Sequence, residues 1–178
     1  SESETVKKEN EDHIRKLEDD LRKLEEDNKR HVDDIERRLR DLKRENERFA
    51  EEVKKRGGGG EELKERLKEL ERRHEEELKD LRRSHEEYAK RVEEVLRRAR
   101  RSSEEVERKL DRIRKEIDDE EVKKTLETLV RTNRRAIREV ERRLKESLDH
   151  NREVLKRAEE DLRRSIRHLR EVVREADR

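Results

Sequence analysis

Apolar side chains recur along this chain at three- and four-residue intervals. One run is Ile14, Leu17, Leu21 and Leu24, resuming at Ile35, Leu39 and Leu42. Another is Val92, Val95, Ala99, Ser103, Val106, Leu110, Ile113 and Ile117. This spacing gives each helix a narrow stripe to bury against partner helices. Two breaks interrupt it. "GGGG" at 57–60 holds every glycine of the chain and is its strongest helix stop. In "IDDEEV" at 117–122, Asp118 followed by Glu121 reads as an Asp-x-x-Glu capping box opening a new helix. "RRSSEEV" at 100–106 also has the look of a cap, yet the apolar phase runs through it unbroken. The pattern predicts one domain over 1–178, with helices at about 1–56, 61–117 and 119–178 and a glycine loop at 57–60. Four extended glycines reach about 13 Å, enough to link neighbouring helices, so the fold class is all-α, an up-down-up three-helix bundle.

The stripe carries an 18-residue repeat. Asn10, Asn28 and Asn46 are in register, as are Leu17, Ile35 and Val53, and likewise Leu63, Leu81, Ala99 and Ile117. The last helix repeats Leu126, Leu144 and Leu162. Eighteen residues make five turns at 3.6 residues per turn, so the repeat imposes no supercoil and predicts a straight, near-untwisted bundle.

Polar residues interrupt the stripe. Antiparallel pairing about the glycines makes facing residues of the first two helices carry numbers adding to about 117. For the last two helices the figure is about 237, and the first and third are offset by about 120. On this register Asn28 and His31 share a level with Ser84, His85, Tyr88, Ser147, His150 and Asn151. Asn10 and His13 share one with Ser102, Ser103, Thr132 and Asn133. Asn46 shares a third with His74, Ser165 and His168. The expectation is three buried hydrogen-bonded layers, about 27 Å apart, whose donors and acceptors match only in one register.

Of 178 residues, 60% are charged and 25% apolar, which on averages alone suggests disorder. A net charge of +1 and strict periodicity point instead to long helices. The chain has no Cys, Pro, Met or Trp, hence no thiol chemistry, and no apolar run near the roughly 18 residues that span a bilayer.

The 18-residue register of Asn10, Asn28, Asn46, His13 and His31, with the matching His85, Ser103, Asn133, His150 and Asn151, resembles de novo designed, parametrically generated helical bundles with buried hydrogen-bond networks. The saturated charged surface resembles them too. Members of that class with buried His networks have been built to come apart in acid, and the resemblance implies the same for these six His. The four glycines depart from it, being a looser connection than such designs carry.

The residues define two readings of function. One is a structural scaffold without natural activity, its polar layers specifying register. The alternative is a pH-responsive or split assembly module switched by buried His, whose neutral form burial favours. A zinc site of His31, His85 and His150 is weighed against the missing His-x3-His pair and the surrounding Asn and Ser. Nucleic-acid binding through "RRARR" (97–101) or "RRSIRHLR" (163–170) is opposed by interleaved acids and absent aromatics. Ser84–His85 and Ser147–His150 suggest a nucleophile and base, but a bundle layer gives a substrate no cleft. No catalytic residue, cofactor, metal, nucleic acid or membrane is expected. A monomer is expected, with self-association through the wide apolar face of the last helix as the alternative.

Overall fold

The computed structural model describes residues 1–178 as three helices: α1 (Glu2–Arg56), α2 (Gly60–Glu116) and α3 (Glu120–Ala176). α2 runs unbroken through 100–106. Acidic residues begin each helix, and basic residues occupy each last turn, opposing the macrodipole's partial charges.

The α2–α3 turn falls one residue later than the capping-box expectation. Backbone bonding in α2 continues to Ile117, whose N–H donates to Ile113 at 3.1 Å. The cap is therefore Asp119, not Asp118. Its carboxylate accepts from the N–H groups of Glu121 (3.0 Å) and Val122 (3.5 Å), while Lys123 N–H donates to its carbonyl. The glycine connection is also more constrained than a loose tether. Gly57 closes α1 with φ 68° and donates to Val53, the usual left-handed helix ending. Gly58 adopts φ 118°, and a Cβ there would lie 2.7 Å from the Ala176 carbonyl oxygen. That glycine is needed because the end of α3 packs against it.

Contacts group the chain into two compact units, one of 1–28 with 88–148 and one of 29–87 with 149–178. Each unit takes a length of all three helices. In the first, Glu9 pairs with Lys109 and Asp27 with Arg91, so α1 and α2 run antiparallel; Glu25 pairs with Arg143, 118 residues on, so α1 and α3 run parallel. In the second, Glu52 pairs with Arg66 and Glu45 with Arg73, while Lys43 pairs with Asp161 and Asn46 with Ser165, giving the same directions.

The core divides likewise. The first unit holds one apolar cluster around Leu17, Leu21, Tyr88, Val92 and Leu144 and another around Val6, Leu110, Ile113 and Leu126. The second holds one around Ile35, Leu81, Ala158 and Leu162 and another around Phe49, Val53, Leu63 and Leu169. Each fully buried aliphatic side chain contributes about 1.5–3 kcal/mol. No large hydrophobic side chain is left exposed, and no helix is long and apolar enough to cross a membrane.

Candidate functional site

Between the two clusters of the first unit, α1 contributes Asn10 and His13, α2 Ser102 and Ser103, and α3 Asn133. The Ser103 hydroxyl donates to the Asn133 side-chain oxygen at 3.0 Å, and the Asn133 amide donates back to the Ser103 carbonyl at 3.2 Å. The hydroxyl of Ser102 bonds His13 Nδ1 at 2.8 Å. Burial pushes the His13 pKa down, because taking imidazolium out of water is costly; the neighbouring Asn133 amide partly counters it. Asn10 and Asn133 are almost fully enclosed, yet Asn10 Oδ1 and His13 Nε2 have no partner within the chain. The expected self-satisfaction is thus incomplete at this level.

The residues expected at the middle level divide between the units. In the first, Tyr88 is buried and its phenol bonds the Ser147 hydroxyl at 3.0 Å. Arg91 lies 5.8 Å from the Tyr88 ring centroid while paired with Asp27, covering the ring with its guanidinium. Asn28 is half-buried. In the second unit, Ser84 Oγ bonds His31 Nδ1 at 3.1 Å, and Asn151 is buried. His85 is half-buried with no partner for Nδ1. Its pKa is lowered by burial and by Arg152, against the opposing charge of Glu86.

At the third level the Asn46 amide donates to Ser165 Oγ at 2.6 Å, a bond between α1 and α3. His74 is only 3% exposed, and neither ring nitrogen has a partner within the chain. Burial lowers its pKa most; Glu45, Glu71 and Glu77 oppose this and Arg73 reinforces it.

Three expected members point outward. Thr132, His150 and His168 are exposed, and the Thr132 hydroxyl merely donates to Thr128 of its own helix at 2.9 Å. The physical reason is common to all three. Each precedes a residue that takes the inward position: Asn133, Asn151 and Leu169, all buried. Successive residues on a helix point about 100° apart, so where the first of two neighbours does not straddle the seam, the second takes the inward position and the first faces water. With His150 outside, the zinc arrangement fails, and no group of three His, Cys, Asp or Glu is placed to hold a metal ion.

A set of ion pairs between helices is not expected from the apolar pattern. Glu9–Lys109, Asp27–Arg91 and Glu45–Arg73 join α1 to α2; Arg100–Glu141 and Arg82–Glu159 join α2 to α3. The signal was present: Glu9, Asp27 and Glu45 stand immediately before Asn10, Asn28 and Asn46 and follow the same 18-residue repeat.

No protein-family model matches this chain, and no curated protein sequence matches it. Among solved structures, it is similar to a "Computationally designed three helix bundle", with a TM-score of 0.60 and 16% identity. That likeness covers 99% of this chain and 89% of the other, and it establishes the three-helix-bundle fold.

Proposed function

We propose that the chain is a designed helical scaffold without catalytic chemistry, in which buried polar side chains specify the register of the three helices. One observation carries this reading most strongly. Ser103 and Asn133 exchange two hydrogen bonds between α2 and α3, beside the His13–Ser102 bond from α1. A one-turn slip would move a helix about 5.4 Å and leave these groups buried without partners, at a cost of about 1–3 kcal/mol for each. Apolar clusters alone discriminate registers weakly, because one Leu fills another Leu's place. The repeating ion pairs add directional preference at the rim, where each is worth little alone.

The test replaces polar members by apolar ones (Asn10→Leu, His13→Leu, Asn46→Leu, His74→Leu, Ser103→Ala and Asn133→Leu together) and compares backbone amide spectra. The parent should give one sharp set of signals, and the variant several sets or broadened ones at equal or greater stability. A single sharp set from the variant would remove the specificity role.

A second reading, acid-induced loosening, is favoured by the lowered pKa values of His13, His74 and His85, all driven by burial. The groups acting on them are Ser102 and Asn133 for His13; Glu45, Arg73, Glu71 and Glu77 for His74; and Arg152 and Glu86 for His85. The working state proposed is the monomer. Its support is that the chain itself covers most of the apolar face of α3: Val130, Leu155, Val172 and Val173 are buried, Leu129, Ala136, Ile137 and Val154 are half-buried, and no large hydrophobic side chain is exposed.

A further inference from the structure

The second unit contains a groove of about 490 Å³ between α2 and α3, within the range of small-molecule sites. Its floor is apolar: Leu78, Leu162 and Ile166, with the His74 ring beside them. Two ion pairs between the helices flank it, Arg170–Glu71 at 2.7 Å and Arg82–Glu159 at 2.5 Å. Between these clasps, the lining cations Lys79, Arg163 and Arg167 make no ion pair within the chain. Arg163 and Arg167 are one turn apart on α3, and Lys79 stands on the opposite helix. One lining carboxylate, Glu75, is likewise unpaired, leaving an excess of positive charge.

We infer that this groove is a binding site for a flat aryl carboxylate. The aryl body would lie on Leu78, Leu162 and Ile166 against the edge of His74, and the carboxylate would meet the guanidinium groups of Arg163 and Arg167. Three features select this chemistry. The floor is apolar and lies between two helices, which favours a flat body that can rest along it. Guanidinium groups match a carboxylate's two oxygens better than a single point charge does. The His74 ring, moreover, has two nitrogens that nothing in the chain satisfies, one of which is an N–H in the neutral imidazole. These nitrogens lie beneath the surface on the side of the aryl body, so His74 reports occupancy of the floor while the head group stays with Arg163 and Arg167. The site has no counterpart at the repeat-equivalent positions of α2, where Val92 and Leu110 replace His74.

The experiment titrates the intact chain with 2-naphthoate and, separately, with uncharged 2-naphthamide, following the ligand by calorimetry and the His74 imidazole by nitrogen-15 NMR. Saturable one-to-one binding of naphthoate is expected with a dissociation constant of about 100 µM, and the amide should bind about tenfold more weakly. Arg163→Gln with Arg167→Gln should weaken naphthoate about tenfold. Arg135→Gln with Arg138→Gln, the same charge change on exposed α3 positions outside the groove, should leave it within twofold. All four positions are exposed, so the fold is retained, which circular dichroism checks. The His74 nitrogen shift should move with the naphthoate titration. Equal affinity for acid and amide, equal weakening by both arginine pairs, an unmoved His74 signal, or no saturable binding would each overturn the assignment.

Discussion

Ser103 and Asn133 hold each other twice across α2 and α3, hydroxyl to amide oxygen at 3.0 Å and amide to backbone carbonyl at 3.2 Å. Two bonds between one pair fix both the rotation and the height of the two helices there. A lone Leu–Leu contact at the same place would fix neither.

The first prediction concerns that pair. Asn133→Ala should destabilise the protein by about 2–3 kcal/mol in urea unfolding, from the lost bonds and the cavity. Asn133→Leu together with Ser103→Ala should be neutral or stabilising, since removing both polar partners leaves nothing unsatisfied. A double variant as damaged as the single one would show that the pair supplies stability itself.

Acid should weaken the protein. Folded His13, His74 and His85 have pKa values below the unfolded value of about 6.5, so the unfolded chain binds protons first. The stability these histidines confer is complete above that unfolded value and declines as pH falls below it toward the folded values. Urea midpoints at pH 7.5 and 5 measure this. The parent should lose stability over that interval, and a variant with all three changed to Leu should lose clearly less. Identical losses would assign the acid response to carboxylates instead.

The turn between α2 and α3 gives a local prediction. Asp119→Ala should cost about 1 kcal/mol, and Asp118→Ala less than about 0.5, because only Asp119 accepts from the first-turn N–H groups. Thermal unfolding of the two variants side by side decides it.

At the glycine connection, Gly58→Ala should be more damaging than Gly57→Asn. Position 58 combines φ 118° with a Cβ pressed against the Ala176 carbonyl, whereas position 57 has φ 68°, which Asn tolerates, and open space. The expected losses are above about 1 kcal/mol and about 0.5 kcal/mol respectively. Equal melting temperatures would mean that the end of α3 does not pack on the loop.

Much of this was legible in the sequence, for reasons that particular residues show. Helix register follows from counting turns. Asn46 and Ser165 bond across 119 positions, against an expected offset of about 120, because rise per residue is fixed. Facing direction is harder to read. Thr132, His150 and His168 each share a level with the buried layers but stand beside a neighbour that takes the inward place, and level alone carries no rotational information. The cap moved from Asp118 to Asp119 because two adjacent aspartates offer the same chemistry and only the backbone's last hydrogen bond chooses between them. The constraint on Gly58 comes from Ala176 at the far end of the chain, which no local pattern contains. The ion pairs at Glu9, Asp27 and Glu45 were readable from the repeat but hidden among so many other charges.

The register of α1 against α3, joined by the Asn46–Ser165 bond, follows from the same buried polar residues, and one distance distribution measures it. Spin labels at Arg40 and Lys156, both exposed and both in the second unit, would be compared in the parent and in the six-substitution apolar variant. The parent should show one narrow distance, and the variant a broadened or second population consistent with a slip of about one turn, or 5.4 Å. An equally narrow, unshifted distribution in the variant would contradict the claim that the buried polar residues choose the register.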